Sequence, residues 1–430
     1  MAVPAGPSAA PASSARPWTW VPTLYFSQGI PYVVVMTLSV VMYKNLGISN
    51  TDIALYTSWL YLPWVIKPLW SPLVDLFRTK RFWIVTLQFV IGLAFALVAL
   101  TLPAPQFFRL SLAMLWLLAF SSATHDIAAD GFYLLALPPH QQAAFVGVRS
   151  TFYRLAMIGG QGGLVCLAGT LQESTGDTAR AWALVFGLLA GVIVAVALYH
   201  FFVLPRPVVD RPTAHGRGFL AEFGAVFAAF FRKPGLAAAL AFLLLYRFAE
   251  SQAVKLITPF LLDRREVGGL GLTTQQVGIV YGTAGVIALT AGGLLGGWVI
   301  SRHGLKRLLW PMICAMNVPN VIFILLAALQ PAEAWVIAAG LAVEQFGYGF
   351  GFAACLVFML YVARGEHQTA HYALCTGFMA LGMMLPGMPA GWIQDQLGYV
   401  QFFLWVMLCT IPSFAAVALI RVDPAFGRKE

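Results

Sequence analysis

Charge is what this 430-residue chain lacks most: only 10% of its residues are charged, whereas 60% are hydrophobic. A soluble domain carries roughly 25% charged residues, so a fold in water could not hide this much apolar surface. The composition therefore predicts an integral membrane protein. The net charge of +9 does not indicate nucleic-acid binding, because the basic residues fall in short clusters between apolar runs, as in cytoplasmic loops.

Motifs of several other protein classes are also missing. The five cysteines are not paired at metal-binding or redox spacing, and they lie in apolar segments as small packing residues. No Gly-x-x-x-x-Gly-Lys-[Ser/Thr] loop occurs, so nothing indicates ATP as a driving force. The sequence shows no nucleophile–base pair and no metal-ligand cluster. We therefore expect no enzyme, no catalytic residues, no cofactor and no metal.

Long apolar runs dominate the rest of the chain. Twelve of them could each cross a hydrocarbon core of about 30 Å, which takes about 20 helical residues. The predicted fold is an all-α membrane protein with twelve transmembrane helices in two six-helix halves. The predicted parts are a disordered tail (1–17), the N-terminal half (18–204), a cytoplasmic linker (205–235), the C-terminal half (236–423) and a cytoplasmic tail (424–430).

Lysine and arginine set the expected orientation. They concentrate in the loops after the even-numbered helices and in the C-terminal tail, which all lie on one side of a twelve-helix chain. Positive charge marks the cytoplasmic side, so we expect both termini to be cytoplasmic.

An internal repeat links the two halves. Residues 71–81 follow the second helix and residues 297–307 follow the eighth. Each stretch has a small residue that closes a helix, then a turn, then a basic pair at the same offset. Repeats about an axis along the membrane normal predict a central cavity that can open to either side.

This repeat resembles the motif of the major facilitator superfamily, Gly-x-x-x-Asp-Arg-x-Gly-x-[Lys/Arg]-Arg. The second copy has Ser301 in place of the acid, and the first copy lacks both glycines. In that family the motif holds the two halves in the outward-open state. The resemblance therefore implies a gating role for Asp75, Arg78, Arg81, Arg302 and Arg307.

Asp126 and Asp130 stand four residues apart in the fourth apolar run, so they share one face of a helix. Arg154 lies at a similar depth, about 12 residues into a fifth helix expected to start near residue 142, and can meet either acid. Two interpretations remain open: a static ion pair that locks two helices, or a proton or substrate site in which the second acid titrates. Lys67 is expected to snorkel or to pack at a gate.

Further polar residues fall at mid-membrane depth in other helices. Arg247 and Glu250 are three residues apart and can pair along the seventh helix. Glu344 and Tyr348 lie in the tenth helix, and Gln28 lies beside a glycine in the first. Polar residues at this depth are functional candidates, so we expect these five to line a substrate cavity.

Four stretches resemble a branch of the superfamily, the AmpG-type muropeptide permeases, whose distant relatives include the acetyl-CoA transporters. They are residues 67–75, 121–130, 153–157 and 246–261. The fourth-helix stretch is the most specific, although His125 stands where the branch usually has Gln or Ser. Those relatives import amino-sugar–peptide fragments from peptidoglycan turnover across the bacterial inner membrane with the proton gradient.

The resemblance thus implies a proton-coupled secondary transporter whose partners are protons, the bilayer and an amino sugar or muropeptide. We expect a monomer, with Asp126, Asp130 and Arg154 in proton coupling. A simpler amino sugar is equally compatible. Two alternatives remain: an importer of siderophores or other bulky metabolites with the same fold, and a membrane signal or assembly protein without transport, against which the mid-membrane charges argue.

Overall fold

The computed structural model describes residues 17–208, 210–211, 219–365, 367–424 and 426–427. Most of the predicted N-terminal tail, part of the linker and the end of the C-terminal tail lie outside these residues. Within the described part, eleven helices are long and apolar enough to cross a membrane. A twelfth segment, the second in the chain, consists of two shorter helices. The predicted twelve-helix architecture is confirmed.

We number the segments α1 to α12 in chain order. They are α1 Pro17–Asn45, α2 Asn50–Trp59 with Leu62–Leu76, α3 Lys80–Thr101, α4 Phe107–Ala136, α5 His140–Thr175, α6 Thr178–Val203, α7 Leu236–Leu262, α8 Thr274–His303, α9 Leu305–Leu329, α10 Ala334–Ala363, α11 Gln368–Leu397 and α12 Tyr399–Leu419. A further helix, Phe219–Phe231, lies in the linker.

Proline explains the break in α2. The helix is interrupted at Leu60 and Tyr61, and Pro63 stands in the first turn of the second piece. A proline has no N–H to donate, and its ring collides with the preceding turn. The break in α2 therefore falls just before Pro63, while Pro68 is accommodated inside the second piece.

Each half has its own apolar core. Buried side chains of the N-terminal half gather around Phe95 and Trp182 and, separately, around Phe132. Those of the C-terminal half gather around Phe260 and around Phe242. Close contact of side chains holds such helices together, because lipid is as apolar as the helices themselves.

The halves meet where glycines let two backbones touch. A Cβ on Gly282 of α8 would lie only 2.0 Å from the carbonyl oxygen of Gln161 on α5. Likewise, a Cβ on Gly391 of α11 would lie 2.0 Å from the oxygen of Asn50 on α2. Small residues at helix crossings permit this approach. The two pairs, α5–α8 and α2–α11, frame the space between the halves.

Both copies of the repeated motif place a residue with a positive φ in the turn between two helices. Gly304, between α8 and α9, has a φ of +80°, and Arg78, at the same motif position between α2 and α3, has a φ of +68°. Glycine takes this left-handed region freely, whereas other residues rarely do. The first copy therefore keeps the turn although it has lost the glycine.

Candidate functional site

A cavity of about 1010 Å³ lies between the two halves. Of the eight residues predicted for coupling or substrate binding, seven line it. These are Gln28, Asp126, Arg154, Arg247, Glu250, Glu344 and Tyr348. The eighth, Asp130, lies one turn further along α4 and bonds to Tyr25, whose side chain lines the cavity.

The cavity widens towards the predicted cytoplasmic end. Val146, near the start of α5, and Leu360, near the end of α10, line it and are 57% and 43% exposed. Ile257 and Tyr281, on its opposite side, are 2% and 5% exposed. The cavity is therefore accessible from the end of the molecule at which α1 starts and α12 stops.

Polar contacts join the halves at the other, predicted periplasmic end. The Nζ of Lys44, at the end of α1, lies 2.6 Å from a carboxylate oxygen of Asp263, just after α7. Asn50 donates to Gln394 at 2.7 Å, and the Tyr399 hydroxyl donates to Asp263 at 2.6 Å. These contacts close the end of the cavity that lies between α1, α2, α7 and α11.

Asp126 faces the cavity and receives two donors from α2. Trp64 donates its indole N–H at 3.1 Å, and the Nζ of Lys67 lies 3.6 Å away. Lys67 therefore does not snorkel to the membrane surface, and the alternative that it packs at a gate stays a prediction. The helix positions its ammonium inward because the break before Pro63 turns this face of α2 towards α4.

Asp130 pairs with a cation that the sequence alone did not single out. Arg149 of α5 donates to its carboxylate at 3.1 Å, and the Tyr25 hydroxyl donates at 3.2 Å. The guanidinium also lies over the rings of Tyr25 and Tyr133, at 4.6 and 5.1 Å from their centroids. The missed signal was a second arginine within the same apolar span as Arg154.

Arg154 does not meet either acid, which corrects the predicted pairing. No hydrogen bond or ion pair joins it to any residue in the described part of the chain. The helical stretch starts at Pro139 rather than near residue 142, so Arg154 lies about one turn deeper than expected. Arg149, rather than Arg154, forms the ion pair with an acid of α4.

A buried polar network holds α4 in place within the N-terminal half. Gln88 of α3 donates to Ser27 at 3.0 Å, and its amide nitrogen lies 3.2 Å from the Nε2 of His125. The other end of the amide, Oε1, lies 3.0 Å from the Nδ1 of His200 on α6. Both histidines are fully buried. This network connects α1, α3, α4 and α6 directly behind Asp126.

Arg247 and Glu250 form the tightest pair of the site, as predicted. Two parallel hydrogen bonds at 2.8 and 2.9 Å join them. The helix α7 is interrupted at Tyr246 and Arg247, so the arginine stands at the start of the second piece and its side chain reaches Glu250 within the same helix. Arg247 also donates to the Tyr348 hydroxyl at 2.5 Å and lies 4.6 Å from the centre of the Phe352 ring.

Glu344 and Lys255 are buried ionisable residues without a partner of opposite charge in the described part of the chain. Glu344 is 3% exposed and accepts a hydrogen bond from Gln345 at 2.8 Å. Lys255 is 2% exposed and donates to Thr57 of α2 at 2.9 Å, so it joins the two halves. The sequence placed Glu344 correctly at the cavity.

The predicted gating residues of the first motif copy bond within their own half. Arg81 donates to the carbonyl oxygens of Phe201 and Leu204 at the end of α6, where the helix dipole favours a cation. Arg78 lies over the Phe82 ring. Asp75 belongs to α2, and its side chain lies outside the described part of the structure.

The second copy is more exposed. The guanidinium of Arg302 lies 4.2 Å from the centre of the Trp298 ring on its own helix, and Arg307 is exposed at the start of α9. The described contacts of Arg302 are thus local, and a gating role for either copy stays a prediction.

A family model described as Major Facilitator Superfamily matches residues 23–385. The chain belongs to the major facilitator superfamily. The resemblance drawn from the repeated motif and the six-plus-six helices is thereby confirmed. Members of this superfamily are transporters rather than enzymes, so the protein is a multi-pass membrane transporter of a small molecule.

Two relatives are similar to this superfamily member over most of its length. An uncharacterized protein of Haemophilus influenzae is 27% identical over 90% of both chains. The anhydromuropeptide permease of Escherichia coli K12 is 24% identical over 85% of this chain and 72% of its own. Among solved structures, a D-xylose-proton symporter superposes with a TM-score of 0.69 over 95% of this chain and 98% of its own, at 14% identity, which shows the fold alone.

Proposed function

We propose that this transporter is a proton-coupled importer of amino sugars or muropeptides derived from peptidoglycan. The cavity between the halves carries the proposal, because it is large and its wall holds acids and cations from both halves. Ligand sites usually measure about 300–1,000 Å³, so a cavity of about 1010 Å³ suits a fragment larger than one sugar ring. The name of the Escherichia coli relative, anhydromuropeptide permease, points to the same substrate class.

Asp126 and Asp130 carry the protons in this proposal. Each acid forms its ion pair with a different helix, Asp126 with α2 through Lys67 and Asp130 with α5 through Arg149. A proton on either carboxylate removes that attraction, so proton binding loosens the contact of α4 with a neighbouring helix. Mid-membrane carboxylates commonly serve as proton relays in transporters.

The substrate contacts polar groups of both halves. Gln28 lines the cavity, and its buried Oε1 has no hydrogen-bond partner among the described residues. Glu344 and Tyr348 of α10 line the opposite wall beside Arg247 and Glu250. Hydroxyl and N-acetyl groups of an amino sugar offer the donors and acceptors that such side chains need.

Import requires the cavity to open alternately to both sides. With both termini in the cytoplasm of a bacterial cell, the described state is open inward, and the Lys44–Asp263 and Asn50–Gln394 contacts form the closed outer gate. The motif residues Arg81 and Arg302 then act when the inner end closes.

The test is uptake by the purified full-length protein in proteoliposomes. We expect anhydromuropeptide to accumulate inside when the exterior is made acidic, and accumulation to stop when a protonophore dissipates the gradient. Labelled N-acetylglucosamine and a ferric siderophore serve as competing substrates. Uptake that does not depend on the pH gradient would contradict proton coupling. Uptake of the siderophore instead of the muropeptide would favour the bulky-metabolite alternative.

A further inference from the structure

The cavity holds one cation that no acid neutralises. Three of its charged pairs are complete: Lys67 with Asp126, Arg149 with Asp130 and Arg247 with Glu250. Arg154 lines the same cavity but makes no ion pair or hydrogen bond with any described residue. A charge at mid-membrane depth is costly unless it meets a partner or water, so an unpaired arginine in a ligand cavity calls for a ligand.

The surroundings of Arg154 form a small polar subsite. A Cβ built on Gly293 of α8 would lie 3.8 Å from a guanidinium nitrogen of Arg154, so this nitrogen lies against the α8 backbone. Thr290 stands three residues before Gly293, on the same face of α8, and also lines the cavity. Its hydroxyl oxygen is buried and has no hydrogen-bond partner among the described residues. A buried polar group left unpaired costs free energy, and a bound ligand removes that cost.

We propose that Arg154 and Thr290 form a binding subsite for a carboxylate of the transported molecule. Guanidinium matches a carboxylate with two parallel N–H donors, and a hydroxyl adds a third donor. The absence of a side chain at Gly293 lets the guanidinium of Arg154 lie beside the helix backbone. This inference rests on the proposed function and narrows it: the substrate is an acidic fragment, such as a muramic-acid derivative with a free carboxylate, rather than a neutral amino sugar.

The subsite also gives Arg154 a role other than the proton coupling expected from the sequence. Its cation stays in the cavity whether or not the acids of α4 carry protons, because those acids have their own partners. Arg154 therefore selects the cargo, and the α4 acids respond to the proton.

The test uses a matched pair of ligands, the disaccharide N-acetylglucosaminyl-anhydro-N-acetylmuramic acid and its neutral lactyl amide. Transport of each into proteoliposomes is measured for the wild-type protein and for Arg154→Gln, Arg154→Lys and Thr290→Val. We expect Arg154→Gln to raise the half-saturating concentration of the acid about tenfold or more and that of the amide less than twofold. We expect Arg154→Lys to keep part of the preference for the acid over the amide that Arg154→Gln loses. We expect Thr290→Val to weaken that preference about threefold. Arg180→Gln, an exposed arginine at the start of α6, is the control and leaves both ligands unchanged.

The ratio of acid to amide is measured within each variant, so poor folding of one variant does not imitate the result. Equal half-saturating concentrations of acid and amide for the wild-type protein would overturn the carboxylate subsite while leaving the proposed function intact. A loss of both ligands in equal proportion in Arg154→Gln would overturn it as well. Uptake of neither ligand by the wild-type protein would overturn the proposed function, and the subsite with it.

Discussion

The two halves hold their mid-membrane charges in different ways. In the C-terminal half, Arg247 and Glu250 belong to one helix and meet through two hydrogen bonds at 2.8 and 2.9 Å. In the N-terminal half, each acid of α4 meets a cation of another helix at one contact, 3.6 Å for Asp126 and 3.1 Å for Asp130. A pair within one helix survives when helices separate, whereas a pair between helices does not. We therefore expect the N-terminal pairs to change during transport and the C-terminal pair to persist.

Asp126→Asn gives the largest expected effect. Asparagine keeps the shape of the side chain and can still accept from Trp64, but it cannot bind and release a proton near neutral pH. We expect accumulation driven by a pH gradient to fall to the level of empty liposomes, while exchange of labelled for unlabelled substrate continues. Both rates are measured with the same proteoliposomes.

The control for this variant is Glu333→Gln, which removes an exposed acid just before α10 and leaves accumulation unchanged. Normal accumulation by Asp126→Asn would show that Asp126 does not take part in proton coupling. Asp126 would then serve only as the partner of Lys67 and Trp64.

Glu250→Gln tests the tight pair of the C-terminal half. The change leaves the Arg247 guanidinium without a counter-charge in a site where both side chains are only 11% exposed. We expect a loss of about 3 kcal/mol in stability, read as a lower unfolding temperature in detergent. The double variant Arg247→Gln with Glu250→Gln recovers most of the loss, since no lone charge remains. A single variant as stable as the wild type would show that water in the cavity already screens the pair.

Asp130→Asn is the matching change in the N-terminal half, and we expect a smaller effect on stability. The side chains of Asp130 and Arg149 are 44% and 31% exposed, and exposed pairs contribute up to about 1 kcal/mol. The same thermal measurement applies, with Glu333→Gln as the reference. A loss of stability as large as that of Glu250→Gln would show that the Asp130–Arg149 pair contributes as much as the Arg247–Glu250 pair.

The repeated turn offers the finest test of the comparison. Arg78→Gly relieves the positive φ of the first copy, and we expect it to stabilise the protein by about 0.5 kcal/mol. Gly304→Ala imposes the same strain on the second copy and should destabilise it by about 1 kcal/mol. The unfolding temperatures of both variants, compared with that of the wild type, measure the two effects. Changes of the same sign would mean that the two turns are not equivalent.

Local features of the site followed from the sequence because they depend on helix periodicity alone. Arg247 and Glu250 are three residues apart, so any helix brings them together. The depth of Glu344 and its position at the cavity likewise followed from counting residues along an apolar run. The break in α2 is likewise a local feature, because Pro63 acts on its own turn.

Contacts between helices could not be predicted from the sequence. They depend on how each helix is rotated about its axis and on the depth of each residue in the membrane to within one turn. The difference of three residues in the start of the helix was enough to exchange Arg154 for Arg149 as the partner of the α4 acids. Lys67 points towards α4 because α2 breaks and packs against that helix. The sequence of α2 contains no pattern that predicts this packing. Thr290 carries no charge and stands in an apolar helix, so no sequence pattern identifies it. Its unpaired hydroxyl is visible only in the structure.

The sequence by itself determined that this chain spans a membrane twelve times, in two related halves, with charges at mid-membrane depth. Apolar length and charge scarcity suffice for that, since each helix must satisfy its own backbone in lipid. The tertiary structure alone decided which of these charges neutralise each other, and that Arg154, Glu344 and Lys255 have no partner of opposite charge in the described part of the chain. That choice depends on the glycine contacts that set how closely α5 meets α8 and α2 meets α11. Arg154 lines the cavity beside Gly293 and bonds to neither acid of α4.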